Sequence, residues 1–148
     1  MNTMMAKSRV TGVRPEGFTL IELMIAMVIM AVLVSIGYPS YIQSVRKGNR
    51  SDAETALIRT AGNQERFFAT NGTYTTVVTD LGFMADGLSG KEYYQITVAA
   101  GATGIGSSYV ITATAVAGHM QAKDTGCTVL SLDSLGVQLP DPVDSECW

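Results

Sequence analysis

Glu22 is the only charged side chain in a run of mostly apolar residues that extends from Phe18 to Tyr41. Residues 18–38 of this run are enough to cross the hydrocarbon core of a bilayer. A carboxylate in hydrocarbon is costly unless another group pairs with it. The small residue Gly17 stands directly before the run, and a cut after it would leave a free amine on Phe18. That amine is a chemically suitable partner for Glu22.

Residues 1–17 form a leader with three basic side chains and one acidic one: Lys7, Arg9, Arg14 and Glu16. A secretory signal has its apolar region before the cleavage site. Here the apolar run follows Gly17, so cleavage would leave the hydrophobic helix on the mature protein. The alternative is that Glu22 is a chance acid that reaches the membrane surface from near the helix end.

The string GFTLIE at 17–22, followed by the apolar helix, resembles the class III signal of type IV prepilins. The resemblance implies cleavage between Gly17 and Phe18 by a prepilin peptidase and N-methylation of the Phe18 amine. It also implies extraction from the inner membrane into a helical filament. In that filament Glu22 would pair with the Phe18 amine of a neighbouring subunit. Wrong register would leave two unpaired charges, so the pairing would enforce register.

A long helix is predicted over residues 18–70, with 18–38 as the transmembrane and filament-core part. Gly37 and Pro39 predict a kink or local melting of the helix near 37–39, because proline removes a backbone donor and glycine lowers helix propensity. Beyond the kink, residues on one face recur at helical spacing, which indicates an amphipathic helix that packs on a sheet. They are Ala53, Ala56, Leu57, Thr60, Ala61, Gln64, Phe67 and Phe68. Most charged residues, Asp52 among them, are expected elsewhere.

Residues 71–148 are predicted to form a C-terminal β-sheet domain. Asn71 and Gly72 predict the helix stop. Strand patterns follow at 93–99, 109–116 and 128–132, with a fourth at 135–139. The predicted fold class is α+β: a long N-terminal hydrophobic helix packed on a small antiparallel sheet, with a lollipop shape.

Cys127 and Cys147 are the only cysteines. An even pair fits a disulfide formed in an oxidising compartment such as the periplasm. Three basic residues lie on each side of the predicted span, so the positive-inside rule does not decide the orientation of the helix in the membrane. The cysteine pair favours an exported C-terminal domain. The segment 127–147 resembles the C-terminal disulfide loop of type IV pilins. The Cys147-Trp148 ending and the string 64–74 resemble a minor-pilin subgroup.

Catalytic and cofactor chemistry is not expected. His119 is the only histidine and has no cysteine or acidic cluster at ligand spacing. The glycines at 101–106 lack the Lys-Ser/Thr pair of a phosphate-binding loop. Asp133, Asp141 and Asp144 resemble the calcium region of some secretion pseudopilins, but the disulfide already closes that loop. We therefore predict no enzyme, no metal and no cofactor.

Direct nucleic-acid binding is also not expected. After removal of the leader, seven basic and twelve acidic side chains remain, a net charge of −5. An acidic domain repels phosphate. The one basic cluster, Arg46, Lys47 and Arg50, comes just after the span, beside lipid or between subunits.

The predicted function is a structural, minor-type subunit of a type IV pilus that supports adhesion, twitching motility or DNA uptake. Its expected partners are other pilin subunits, the prepilin peptidase and methyltransferase, the pilus assembly machinery and, before assembly, the inner membrane. It would reside there with a periplasmic C-terminus and then in the extracellular pilus. Two alternatives remain: a pseudopilin of a type II secretion system, and an envelope receptor anchored by an uncleaved helix.

Overall fold

The computed structural model describes residues 17–140 and 146–148. Helix α1 spans Leu20–Asn71, close to the predicted 18–70. The chain divides into two compact units between Tyr38 and Pro39. The leader prediction, apart from Gly17, lies outside the described residues.

The first part of α1 has no core of its own. Its most apolar 18-residue window has a mean hydropathy of 2.6 and none of it is buried. In length and composition this helix can cross a membrane. The helix runs without interruption through Gly37 and Pro39, so the backbone does not melt there. The predicted kink stays a prediction.

The helix ends where the sequence predicts. The Gly72 N–H donates to the Phe68 carbonyl at 2.8 Å, and Gly72 has a φ of 71°. Glycine adopts this left-handed conformation without a steric penalty. The chain can therefore turn at once into the 3₁₀ turn Val78–Leu81 and the sheet domain.

Four antiparallel strands form one sheet in the order β1-β2-β3-β4: Tyr94–Ala100, Tyr109–Ala115, Val129–Asp133 and Gln138–Leu139. Buried residues alternate with more exposed ones along most of β1 and β2. In the register of the two strands, Ile96 lies opposite Ala113 and Val98 opposite Ile111. The strand predictions are confirmed within one or two residues, except that β4 is shorter than the predicted 135–139. A second 3₁₀ turn, Met120–Lys123, connects β2 to β3.

The core of the second unit lies between the later part of α1 and the inner face of the sheet. Ala53 and Leu57 from the helix pack in one cluster with Tyr94, Ile111 and Leu130 from the sheet. The predicted packing of an amphipathic helix on an antiparallel sheet is therefore confirmed for this unit.

Asp52 corrects the predicted helix face. It was expected away from the core, but it is 7% exposed. Its carboxylate accepts hydrogen bonds from the Ser89 hydroxyl at 2.5 Å and from the Lys91 N–H at 3.1 Å. The periodicity of apolar residues could not reveal this, because a buried carboxylate depends on donors that come from a distant loop.

Candidate functional site: the processing motif, the exposed helix and the clamped C-terminal segment

The residues of the predicted processing motif lie at the start of α1. Phe18 is 82% exposed, and Gly17 precedes it outside the helix. Thr19 and Glu22 form a capping box at the helix N-terminus. The Glu22 N–H donates to Thr19 Oγ1 at 3.2 Å, and the Thr19 N–H donates to Glu22 Oε2 at 3.3 Å.

This capping box is a second role for Glu22 that the sequence analysis did not include. The signal was present, since a threonine three residues before a glutamate at the start of an apolar run is typical of a capping box. The Thr19 hydroxyl also donates to Glu22 Oε2, at 3.2 Å. Among the described residues Oε1 accepts no hydrogen bond. The carboxylate lies one turn from Phe18, and both hydrogen bonds that it accepts from Thr19 go to Oε2.

The apolar surface of residues 18–38 is exposed on all sides. Leu20, Met27 and Ile36 are each more than 70% exposed. A monomeric soluble protein rarely exposes so large a continuous apolar surface. Such a surface requires lipid or another protein as its surroundings.

The second unit holds its C-terminal segment against α1 through Arg50. The guanidinium donates to both oxygens of Asp124, from Nε at 2.7 Å and from Nη2 at 2.9 Å. Arg50 Nη1 also donates to the Glu146 carbonyl. The two side chains of the ion pair are 12% and 8% exposed. The hydrogen bond to Asp124 is the main cause that raises the pKa of Arg50, against the opposing effect of burial.

Gln121 is a buried connection between the helix, β1 and the turn before β3. Its amide donates to the Tyr94 hydroxyl at 2.9 Å and to the Arg46 carbonyl at 3.2 Å. Asn49 Nδ2 donates to its oxygen at 3.3 Å. All of its polar atoms are therefore paired, as a fully buried amide requires.

The predicted disulfide between Cys127 and Cys147 is confirmed, with 5.4 Å between the Cα atoms. Both cysteines are almost fully buried and belong to the core cluster. In the chain-entropy model a loop of this length stabilises a domain by roughly 3 kcal/mol. The bond fixes the end of the chain beside Gly126, and together with Arg50 it clamps the C-terminal segment.

An aromatic cluster closes the far end of the domain. The Tyr74 ring packs edge-on against Tyr109 at 4.7 Å and beside Phe68 at 4.6 Å. Both tyrosine hydroxyls donate to Glu65 Oε1, at 3.2 and 3.4 Å. Burial, with a smaller contribution from Glu65, raises the pKa of Tyr109 to about 12.

Among the described residues no group of three His, Cys, Asp or Glu side chains could hold a metal ion. His119 lies beside the Tyr93 ring at 5.9 Å. Asp133 Oδ1 accepts the N–H groups of Leu135 and Val137, so this carboxylate closes a turn. The other two aspartates of the calcium alternative, Asp141 and Asp144, lie outside the described residues.

An exposed apolar N-terminal helix that continues into a small, disulfide-closed antiparallel sheet domain defines a class of proteins: filament-forming pilins. A family model for the prokaryotic N-terminal methylation motif matches residues 14–38. A second model, described as "Type IV minor pilin ComP, DNA uptake sequence receptor", matches residues 39–131, which is more than half of the chain. The chain therefore belongs to the type IV pilin family that this second model describes.

Individual relatives are pilins as well. The chain is 35% identical to the type IV major pilin protein PilA of Myxococcus xanthus over 89 residues. This match covers 60% of the chain and 40% of the length of that curated relative. A solved structure of a type IV pilin from Shewanella oneidensis is similar with a TM-score of 0.49 and 25% identity, over 70% of this chain and 97% of that one. Type IV pilins are structural proteins and not enzymes.

Proposed function

We propose that this protein is a structural subunit of a type IV pilus, of the minor type that the family model describes. The observation that carries the proposal is the exposed apolar helix segment 18–38, whose first turn carries the Glu22 carboxylate in a capping box with Thr19. A filament core buries such helices against one another, and a membrane shelters them before assembly. Family membership supports both states.

Processing at Gly17-Phe18 is part of the proposal. The match of the methylation motif to residues 14–38 includes this junction. Gly17 and Phe18 are exposed and precede the first helical turn, which suits access by a peptidase. Cleavage would place the new, methylated amine of Phe18 directly before the capping residue Thr19.

Glu22 is proposed to accept that amine from a neighbouring subunit. Within one helix, residues 18 and 22 are separated by about 6 Å of axial rise, so an axial stagger between neighbours brings the two groups together. Thr19 donates to Oε2, and Oε1 accepts no hydrogen bond from the part of the chain that the structure describes, so the contact does not require the capping box to break. Assembly machinery, peptidase and companion pilins are the partners that this role requires.

The disulfide between Cys127 and Cys147 supports the topology that we propose. Bonds of this kind persist in oxidising compartments, so the domain 39–148 is proposed to face the periplasm while helix 18–38 lies in the inner membrane. After extraction the domain would cover the outside of the pilus. The family model that matches residues 39–131 describes a type IV minor pilin, which favours the pilus role over the pseudopilin and uncleaved-receptor alternatives.

Glu22→Gln tests the charge pairing against the capping role. The glutamine oxygen can still accept the Thr19 N–H, so the helix start is kept, but the negative charge is lost. We expect the variant to insert into membranes and to be cleaved, yet to be at least about tenfold depleted from sheared filaments, because an amine would be buried unpaired. Thr19→Ala is the matched control, since it removes the cap and keeps the charge. Normal incorporation of Glu22→Gln would contradict the pairing.

Gly17→Val tests the cleavage site separately. A β-branched side chain at this position should not fit the peptidase, so the full-length precursor should accumulate in membranes. Immunoblots that separate precursor from mature chain measure the ratio. Normal maturation of Gly17→Val would show that the cut lies elsewhere.

DNA binding is the second candidate function, because the matching family is described as a DNA uptake sequence receptor. The net charge of −5 after processing does not favour it, because an acidic domain repels phosphate. One groove of about 610 Å³ contains side chains that can donate hydrogen bonds to phosphate. Arg59, Asn63 and Arg66 line it along α1, and Asp80 lies in its other wall. Arg66 donates to Asn63 Oδ1 at 2.9 Å, which leaves other guanidinium donors for phosphate.

Gel-shift titration with duplex DNA at two salt concentrations tests this candidate. Binding through the groove predicts that Arg59→Gln/Arg66→Gln weakens retention and lowers the salt slope by about 2. Lys91→Gln/Lys123→Gln is the control with the same change of charge. Absence of retention at low salt would reject DNA binding by this subunit and leave the structural role unchanged.

A further inference from the structure

A polar groove lies between α1 and the clamped C-terminal segment, and the pilus role does not account for it. Its volume is about 410 Å³. Three basic side chains of the helix line it, namely Arg46, Lys47 and Arg50, and it faces Asp124 and Glu146. Ser40 and Gln43 form the wall nearest to the end of the apolar run.

The three cations are not equally neutralised. Arg50 is fully engaged with Asp124. Lys47 Nζ is 3.9 Å from Glu146 Oε2, and both side chains are mostly exposed, so this pair is weak. Arg46 has no salt bridge among the described residues, and its Nε is buried without a hydrogen-bond partner there. A buried charged donor without an acceptor is costly. Among the residues that the structure describes, Arg46 therefore has no anionic partner, and Lys47 has only the weak pair with Glu146.

The position along the helix indicates where such an anion would be. Arg46 follows Pro39 by seven residues, which is about 10 Å of helix. The headgroup layer on each side of a bilayer is roughly 5–8 Å thick, and arginine and lysine reach back toward it with their long side chains. A basic cluster on the exported side also runs against the usual charge bias of membrane proteins, so a specific binding role would explain it.

We propose that Arg46 and Lys47 bind the phosphate of an anionic phospholipid headgroup at the periplasmic surface of the inner membrane. This inference rests on the proposed membrane residence of the subunit before assembly. Two cationic groups supply several N–H donors for one phosphate, and the Ser40 hydroxyl and Gln43 amide add neutral ones. The bound lipid fixes how deeply α1 sits in the bilayer until the subunit is extracted.

Native mass spectrometry of the full-length protein, released from vesicles of phosphatidylethanolamine with phosphatidylglycerol, tests the proposal. The unaltered protein should retain phosphatidylglycerol, and Arg46→Gln/Lys47→Gln should retain about tenfold less. Lys91→Gln/Lys123→Gln makes the same change of charge outside this groove, so it is the matched control and should retain the lipid normally. The Arg46 carbonyl that Gln121 binds is a backbone group, so the substitution keeps this contact. Fluorescence of Trp148 verifies that each variant is folded.

Three results would overturn the proposal. Equal retention by the groove variant and the control would show that the groove does not hold the lipid. Release of the lipid by millimolar glycerol phosphate would assign the groove to soluble phosphate. Normal retention together with lost filament incorporation would make the groove a contact between subunits. Failure of the unaltered chain to resist alkaline extraction from the vesicles would instead reject the membrane residence, and with it the proposed function.

Discussion

The two parts of helix α1 have the same secondary structure and opposite surroundings. In residues 18–38 the apolar side chains are exposed on all sides, and Ile29 is an example at 55% exposure. In the part that packs on the sheet, Leu57 is completely buried and even the polar Gln64 is buried. Gln64 donates to the Thr75 carbonyl at 2.6 Å and accepts the Thr75 N–H at 3.1 Å, as a strand would.

The two parts of the helix therefore have different roles, one within the chain and one between the chain and its surroundings. The later part specifies the fold of its own chain, through polar side chains whose partners lie in distant loops. The first part makes no such contacts, and its apolar surface can be buried only against lipid or other chains. Mutations in the later part should therefore change the stability of the domain, and mutations in the first part should change assembly.

Asp124→Ala should have the largest effect on the later part. It leaves the Arg50 guanidinium nearly buried without its carboxylate, so we expect unfolding to become easier by about 3–5 kcal/mol. Urea unfolding followed by the fluorescence of Trp148, the single tryptophan, measures this. Arg50→Met/Asp124→Leu is the control, because it removes both charges and should recover most of the loss. A loss below 1 kcal/mol for Asp124→Ala would show that the clamp is not structural.

Leu57→Ala and Ile29→Ala compare the two parts directly. Leu57 has no exposed surface, so its truncation should cost about 3 kcal/mol through lost burial and a cavity. Ile29→Ala should leave the free energy of unfolding of the domain unchanged within about 0.5 kcal/mol. The same urea titrations serve both variants. Similar costs at the two positions would remove the distinction between the parts.

Alkaline pH should produce the smallest and most gradual effect. Burial raises the pKa of Tyr109 to about 12, whereas an unfolded tyrosine ionises near 10. The folded state then binds more protons than the unfolded state, so stability is constant below pH 10 and falls between pH 10 and 12. Burial also raises the pKa of Tyr74 and of Tyr94.

Tyr109→Phe should flatten this decline, whereas Tyr41→Phe, at an exposed helix position, should leave it unchanged. Unfolding midpoints measured at pH 9, 10 and 11 follow the trend. A decline of the same slope in Tyr109→Phe would assign the effect to other groups.

Local patterns predicted most of the fold. The apolar run, the Asn71-Gly72 stop, the alternation in β1 and β2 and the cysteine pair each depend on neighbouring residues or on a simple count, so the sequence was sufficient. The shortness of β4 was not predictable, because Asp133 ends β3 with a turn that accepts the Leu135 and Val137 N–H groups. Residues 135–137 of the predicted fourth strand therefore belong to this turn, and only Gln138 and Leu139 pair in the sheet.

Long-range polar pairing was the main feature that the sequence could not reveal. Arg50 and Asp124 are 74 residues apart, and Asp52 and Ser89 are 37 apart. No local spacing relates such residues. The capping box at Thr19 and Glu22 was different, because its pattern was local and was overlooked in favour of the intermolecular role of the glutamate.

Intact-mass and N-terminal analysis of the protein purified from its native membrane tests the central claim, that helix 18–38 is a processed assembly element. The account predicts a chain that begins at Phe18, carries one additional methyl group and lacks two hydrogens at Cys127 and Cys147. An unprocessed N-terminus in cells that contain the peptidase would contradict it, and Glu22 would then be an ordinary acid near the end of a membrane anchor.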